Sequence, residues 1–271
     1  MKKIIAYLDA KKMDITPIDG YVTRFIGMPQ QGWIYIGKER LTHGDFLYKL
    51  VTAKAAMRDF TLIPGETTHF FLKNLAQKME LDEAQLIYYS QKISDVNEGA
   101  YVPDTYKLPI GISEKDVILL FVNRSKKRMK EYSKKIFGKY DEKKWQQYII
   151  KASVIQKEAA SIEDMTMVSS VISNRLRKGM KLQMDGTLNY GEYSHSKVTA
   201  FRIRNDESRY NTYMYNGLPK NAVCNVGFDA IKAAIFPAKT SYLYFVRTKK
   251  RHHSYSSNYS THLKYIKSAT N

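Results

Sequence analysis

One acidic residue, Glu158, has the surroundings that acid–base chemistry requires. Apolar residues recur around it every three to four positions: Trp145, Tyr148, Ile149, Ala152, Ile155 and Ala159. This spacing predicts a buried helix that ends close to Glu158. Apolar neighbours and a helix C-terminus both disfavour a negative charge, so we expect the pKa of this carboxyl to be raised toward neutrality. Such a group can donate a proton and later accept one, although a surface glutamate on an ordinary helix would show the same local pattern.

The segments that follow Glu158 must position it. Residues 161–164 read Ser-Ile-Glu-Asp, a cap for the next helix, and Gly179 is expected to end that helix. Two helices therefore meet at a tight corner directly after Glu158. Further along the chain we expect a polar, glycine-punctuated segment to about Pro219, a short helix at 229–235, a strand at 242–246 and a last helix at 258–267.

The N-terminal part of the chain is predicted to be rich in β-structure. Between residues 21 and 36, Tyr, Val, Phe, Ile and Trp cluster among glycines, a composition that favours short strands with turns. Residues 42–45 are similar to a capping box and open a helix. A strand at 60–63 is then followed by Pro64-Gly65 and by another helix. We therefore expect an α+β protein.

Composition and charge limit the classes of partner. The 271 residues carry 44 Lys and Arg against 26 Asp and Glu, a net charge of +18 that favours anionic partners. The basic stretch 124–135 fits a solvated helix face or a contact with an anionic membrane or polymer. We find no nucleic-acid-binding module and no apolar stretch of the ~20 residues that a membrane-spanning helix needs.

Cysteine and histidine usage gives no indication of a metal or a disulfide. The single cysteine, Cys224, cannot form an intramolecular disulfide. No Cys or His residues have the spacing of a zinc site. We therefore expect no metal, and we expect His253 and His262 to be structural partners of backbone groups.

A series of short motifs gives the strongest functional indication. They are 98–99 (EG), 103–106 (PDTY), 155–159 (IQKEA), 171–187 (VISNRLRKGMKLQMDGT), 190–191 (YG), 210–213 (YNTY), 217–219 (GLP), 233–234 (AA), 237–246 (PAKTSYLYFV), 253–256 (HSYS) and His262. In this order they resemble the endolytic murein transglycosylases, the MltG or YceG-like family. The resemblance runs from about Phe60 to the C-terminus and is weaker before it.

The resemblance implies a domain organisation. Residues 61–65 (TLIPG) open a segment similar to the LysM-like module of the family. We therefore expect a β-rich N-terminal portion at 1–59, a LysM-like module at 60–93 and a catalytic domain of helices with a small sheet at 94–271.

The resemblance also implies an activity. Such enzymes cleave the bond between N-acetylmuramic acid (MurNAc) and N-acetylglucosamine (GlcNAc) without water and leave 1,6-anhydroMurNAc ends. One carboxyl suffices because the substrate supplies the attacking hydroxyl, so Glu158 is implied as the general acid and then the base. No cofactor is implied.

Several positions depart from the family pattern. Gln156 and Ala159 stand where Glu and Thr are frequent, which leaves Glu158 as the single acid of its motif. Gly186 stands where proline is common, and Lys220-Asn221 replaces a Pro-Gly pair. We expect these changes to affect loop rigidity and the tuning of Glu158 more than the chemistry.

Eight further residues are predicted to bind substrate. Gln183 can offer both a donor and an acceptor to a sugar, and Asn211 and Thr212 could bind an acetamide or orient Glu158. The tyrosines can stack on sugar rings, with core packing as the alternative, and a turn-forming role is the alternative for Asp185. The full set is Gln183, Asp185, Thr187, Tyr190, Tyr210, Asn211, Thr212 and Tyr213.

Partners and location follow from the same resemblance. The expected partners are peptidoglycan glycan strands, cell-wall synthesis enzymes at the membrane and an anionic membrane surface, with no nucleic acid. The expected location is the periplasmic, outer face of the cytoplasmic membrane, although the family's anchor is absent from this sequence. A muramidase that hydrolyses the same bond and a non-catalytic peptidoglycan-binding scaffold are the two alternatives.

Overall fold

The structure, a computed structural model, describes residues 2–28, 32–36, 40–249 and 252–270. The chain divides into two compact units, Met1–Phe60 with Thr105–Val117, and Thr61–Asp104 with Ile118–Asn271. Helices with two small sheets make up the described part, which confirms the α+β class. No helix of these residues is long and apolar enough to cross a membrane.

The first unit begins with three helices. They are α1 (Lys2–Ala10), α2 (Pro17–Ile26) and α3 (His43–Thr52). Strand β1 (Met57–Leu62) then pairs with strand β2 (Asp104–Pro109) in a two-stranded sheet. The cap predicted for α3 is confirmed, because the Thr42 hydroxyl accepts the Asp45 N–H at 3.1 Å.

The prediction of a β-rich portion at 1–59 is wrong. Most of that segment is helical, and its described part between 21 and 36 keeps only the isolated bridge of Ile34 with Ala55. Residues 29–31 of the predicted strands lie outside the described residues. Helix α2 forms because Pro17 opens it and the Asp19 carboxylate accepts the Thr16 N–H at 2.6 Å. This N-terminal cap outweighs the β-propensity of the aromatic and β-branched residues that follow.

The second unit contains the remaining helices and strands. Helix α6 (Glu114–Phe137) begins in the first unit and continues into this one. The others are α4 (Thr68–Met79), α5 (Glu83–Ile93), α7 (Glu142–Glu158), α8 (Met165–Arg177), α9 (Ala200–Asn205), α10 (Phe228–Ile235), β3 (Tyr244–Arg247), β4 (His253–Ser256) and α11 (Tyr259–Thr270). Strands β3 and β4 form an antiparallel hairpin in which Tyr244 pairs with Ser256 and Arg247 pairs with His253.

The core of the second unit fixes the helix that carries Glu158. Helix α7 packs against α8 and α10. Its residues Trp145, Ile149 and Ile155 are buried, as the apolar spacing predicted. Because these side chains lie in one close-packed cluster with α8 and α10, the C-terminal end of α7 has little freedom to move.

Candidate active site

Glu158 is the last residue of helix α7. The residue is only partly exposed. Burial of the carboxyl disfavours its charged form and raises the pKa of Glu158 to about 7. The raised pKa expected from the sequence is therefore found, and its main cause is desolvation.

Gly186 makes the direct contact with this carboxyl. It belongs to a short 3₁₀ helix, Asp185–Leu188, and its N–H donates to Glu158 Oε1 at 2.7 Å. A Cβ at this position would lie 2.6 Å from the Cβ of Lys157 and 2.8 Å from Glu158 Oε1. The close approach of the two segments therefore requires glycine. The hydrogen bond stabilises the carboxylate and lowers the pKa of Glu158 against the larger effect of burial.

Charged groups on three elements act on Glu158. The negative charge of Asp185 raises its pKa, and the positive charges of a protonated His253 and of Arg175 lower it. These groups come from the 3₁₀ helix, strand β4 and helix α8, respectively. Glu158 is thus an acid with a near-neutral pKa whose anionic form still has favourable partners.

Asp185 and Tyr213 are brought together at this site. The Tyr213 hydroxyl donates to Asp185 Oδ1 at 2.6 Å. Burial, followed by this hydrogen bond, raises the pKa of Tyr213 above its ordinary value. Gln183 adopts a left-handed backbone conformation with φ of 51°, and its N–H donates to the carbonyl of Thr212 at 3.1 Å. Gln183 and Asp185 thus lie on the same short segment as Gly186, whose N–H contacts Glu158.

Three of the predicted binding residues are buried within the protein. Thr187 and Thr212 bond to each other through their hydroxyls at 3.0 Å. Asn211 donates to the carbonyls of Ile203 and Asp206 at 3.0 and 2.8 Å. These three residues are at most 2% exposed. Their hydrogen bonds therefore hold in place the segments that carry Gln183, Asp185 and Tyr213.

Tyr190 and Tyr210 lie together at a second position. Their rings are stacked with centroids 4.2 Å apart and planes 15° apart. Both border a cavity of about 300 Å³ that Glu98 also lines. In the sequence these two tyrosines were ambiguous between sugar contact and core packing. The structure places them at the edge of a cavity, half-buried, where both roles are compatible with their surroundings.

Two residues beside these groups were not predicted. Glu98 is 6% exposed, accepts the N–H and hydroxyl of Thr68 at 2.9 and 2.8 Å, and has its pKa raised to about 7 by burial. Arg175 is 8% exposed, and its Nε donates to the carbonyl of Leu243 at 2.6 Å. Both lie in motifs of the resemblance, but no local pattern distinguishes a buried charge from the many exposed ones.

The predicted histidines differ in their environment. His253 bonds to a carboxylate, Asp164, and not to a backbone group as expected. His262 stacks on Tyr244 with ring centroids 5.1 Å apart, and burial lowers its pKa. Within the described ranges, no cluster of three or more His, Cys, Asp or Glu residues could hold a metal ion.

Comparison with known proteins finds relatives of this chain. The model of the YceG-like family matches residues 10–268. The chain is 30% identical over 159 residues to the endolytic murein transglycosylase of Bacillus subtilis (strain 168), a match covering 58% of this chain and 44% of that protein. It is 34% identical over 100 residues to the endolytic murein transglycosylase of Streptococcus pneumoniae serotype 2 (strain D39), covering 35% of this chain and 18% of that protein. The matches thus span less than half of either relative.

A solved structure has a similar fold. The crystal structure of a yceG-like protein from Listeria monocytogenes aligns with a TM-score of 0.67 and 25% sequence identity. The alignment covers 83% of this chain and 81% of that one. Because 83% of the chain is aligned, the similarity is not limited to the segment around Glu158.

Proposed function

Since the chain belongs to the YceG-like family, we propose that it is an endolytic lytic transglycosylase of peptidoglycan. The observation that carries the proposal is the Glu158 carboxyl, buried at the end of α7 with a pKa of about 7. A general acid works best when its pKa lies near the working pH. The relatives named as endolytic murein transglycosylases support the choice of substrate.

In the proposed reaction Glu158 acts twice. It first donates its proton to the oxygen that bridges MurNAc and GlcNAc, and the bond between that oxygen and C1 of MurNAc breaks. The 6-hydroxyl of the same MurNAc then attacks C1 and returns its proton to Glu158. The product is a 1,6-anhydroMurNAc end, no water is consumed, and the acid is regenerated.

The neighbouring charges fit the intermediate stage of this cycle. After the first step Glu158 carries a negative charge in a desolvated position, which costs free energy. The Gly186 N–H at 2.7 Å and the positive charge of Arg175 favour that anion. Preorganised groups of this kind need no rearrangement when the charge develops.

Substrate contacts are proposed for the accessible members of the predicted set. We propose that Gln183, Asp185 and Tyr213 contact the sugars at the cleavage point and that Tyr190 and Tyr210 contact the strand further along. Thr187, Asn211 and Thr212 would act indirectly by holding these residues. We also propose a LysM-like module at 60–93, the segment that contains helices α4 and α5, and this module would add further glycan contacts.

Hydrolysis of the same bond is the second candidate. A hydrolase normally uses a second carboxylate to activate water or to bind the sugar. Asp185 is close enough to Glu158 for its charge to raise the pKa of the glutamate. The hydroxyl of Tyr213 already occupies one oxygen of Asp185, however, and this favours a positioning role for the aspartate.

The two reactions leave different ends. We expect mass spectrometry of purified peptidoglycan after digestion in H₂¹⁸O to detect anhydroMurNAc ends without ¹⁸O. Reducing MurNAc ends that carry ¹⁸O would identify a muramidase instead. If neither end forms on intact, peptide-bearing strands while the protein still binds them, the scaffold alternative is correct. A Glu158→Gln sample is the matched control for contaminating activities.

We further propose that the enzyme works outside the cytoplasm, at the outer face of the cytoplasmic membrane, beside cell-wall synthesis enzymes. Its basic surface would attach it to an anionic wall polymer or membrane. Part of the basic stretch on α6 is already paired, since Arg124 and Arg128 contact Asp104 at 2.9 and 2.6 Å. The exposed Lys134 and Lys135 are better candidates for this attachment.

Salt dependence tests the electrostatic attachment. Binding to sacculi or anionic vesicles should weaken strongly between 0.01 and 0.15 M salt, because the screening length falls from ~30 to ~8 Å. The double variant Lys134→Glu, Lys135→Glu should bind less well at low salt. Reversal of Lys73 and Lys232, two exposed lysines elsewhere, makes the same change in net charge and is the control. Binding that is equal at both salt concentrations would refute the attachment.

A further inference from the structure

A carboxylate fixes the corner that follows Glu158. The N–H of Ala160, two residues after the glutamate, donates to Asp164 Oδ2 at 2.9 Å. Asp164 itself precedes helix α8. The Asp164 N–H in turn donates to the Ser161 hydroxyl at 3.3 Å. Asp164 thus ties the start of α8 to the chain directly after Glu158, and any movement of Asp164 would be passed to the end of α7.

Strand β4 holds this carboxylate from the other side. His253 Nδ1 lies 2.6 Å from Asp164 Oδ2, and the Tyr255 hydroxyl donates to Asp164 Oδ1. The two residues reach the same carboxylate because side chains two positions apart lie on one face of a strand. The side chain of His253 is 4% exposed and that of Asp164 is 13% exposed. The bond between His253 and Asp164, within the network that these two residues form with Tyr255, is therefore largely shielded from water.

The network keeps Asp164 ionised. Burial alone would raise the pKa of Asp164, but the bonds from His253, Tyr255 and the Ala160 N–H outweigh it and hold the pKa below its ordinary value. An ionised carboxylate only accepts hydrogen bonds, so Nδ1 of His253 carries a hydrogen and Nε2 is the remaining nitrogen. A carboxylate that fixes the ring of a histidine in this way is a common means of orienting it.

We propose that Asp164, His253 and Tyr255 are positioning residues for Glu158, which fix the end of α7 through the corner that follows it. This inference rests on the proposed function. In the reaction, a fixed end of α7 keeps the Glu158 carboxyl in one place while it gives its proton to the leaving oxygen and later takes one back. The other charged groups that face Glu158 are Arg175 and Asp185.

A purely structural role for the same contacts makes a different prediction. If the network only secured the hairpin to α8, its loss would lower stability without changing the ionisation of Glu158. His253 lowers the pKa of Glu158, so the loss of its contribution would instead raise that pKa. The ionisation of Glu158 therefore separates the two roles.

The test uses His253→Gln, whose amide can still donate to Asp164 but carries no charge. We expect the fold to persist, kcat to fall by about tenfold to a hundredfold with KM nearly unchanged, and the high-pH limb of activity to move to higher pH. Tyr255→Phe should show a smaller fall in kcat and Asp164→Asn a larger one.

Ser241→Ala is the control. It removes the exposed hydrogen bond to Ser257 beside the same hairpin and should leave kcat and the pH dependence of activity unchanged.

A second measurement does not need turnover. The pKa of Glu158 can be followed by ¹³C NMR of labelled glutamate carboxyls, with Glu158→Gln used to assign the signal. It should rise in His253→Gln and stay constant in Ser241→Ala. An unchanged pKa together with unchanged kcat would overturn the inference. A raised pKa in a protein that forms no anhydroMurNAc would instead keep the network and reject the proposed reaction.

Discussion

Glu158→Gln is expected to lower the rate of glycan cleavage by at least ~10²-fold, within the ~10² to 10⁴ that general acid–base catalysis contributes. The amide is nearly isosteric and can still accept the Gly186 N–H, but it has no proton to give. Binding of glycan strands should persist. The measurement is the release of soluble fragments from purified peptidoglycan, with binding assayed separately.

Glu163→Gln is the matched control. Glu163 lies in the same corner but is exposed, so its loss should leave the rate within about twofold of the wild type. A Glu158→Gln protein with more than a tenth of the wild-type activity would move the catalytic role to another residue.

The pKa of Glu158 predicts the pH dependence of both activity and stability. Cleavage by the wild type should decline as the pH rises through about 7, because the acid must be protonated.

Stability should also depend on pH through Glu158. The ordinary pKa of the group is 4.5, so between pH 4.5 and 7 the folded protein binds a proton that the unfolded chain does not. Stability is therefore lost as the pH rises from 4.5 to 7, by up to about 3 kcal/mol for this group. Since Glu158→Gln removes this cost, the variant should melt at a higher temperature than the wild type at pH 8, with little difference near pH 5.

Gly186→Ala is expected to lower cleavage by about tenfold to a hundredfold, because a displacement of roughly 1 Å at a reacting group can cost that much. The added Cβ would lie 2.6 Å from the Cβ of Lys157, so either the 3₁₀ helix or the end of α7 must shift. The backbone angles of Gly186 lie in a region open to alanine, so the effect comes from the contact and not from strain in the backbone. Kinetics on peptidoglycan fragments would show a fall in kcat with circular dichroism unchanged.

Gly44→Ala provides the comparison for this variant. A Cβ at Gly44 meets nothing within 4 Å, and alanine favours a helix over glycine by up to ~1 kcal/mol. This variant should keep full activity and lose no stability. If Gly186→Ala were equally active, the close contact with Glu158 would have no part in catalysis. The family resemblance leads one to expect proline at 186, and a proline there, which has no N–H, could not donate the hydrogen bond that Gly186 gives to Glu158.

The sequence by itself determined the helical frame of the site. The apolar spacing before Glu158 predicted α7, and Gly179, with φ of 66°, follows the end of α8 as expected. The helix predicted at 229–235 is α10, and the strand predicted at 242–246 overlaps β3. These features were readable because apolar periodicity and end signals act over a few neighbouring residues.

The same local reasoning failed where two local preferences compete. In α2, the β-forming residues from Tyr21 onward dominated the prediction, while the cap at Thr16 and Asp19 decided the structure. A composition signal averages over a segment, whereas a cap acts at one position and starts a cooperative helix.

Only the tertiary structure decided which groups surround Glu158. Gly186 lies 28 residues further along the chain, and His253 meets Asp164 across 89 residues. Such pairs depend on how α7, α8 and the hairpin pack, and no propensity or spacing of one segment contains that information. The sequence therefore singled out Glu158 as the candidate acid, and the packing of distant segments set its pKa. Burial removes water from the carboxyl, while Gly186, Asp185, His253 and Arg175 adjust the balance between its two protonation states.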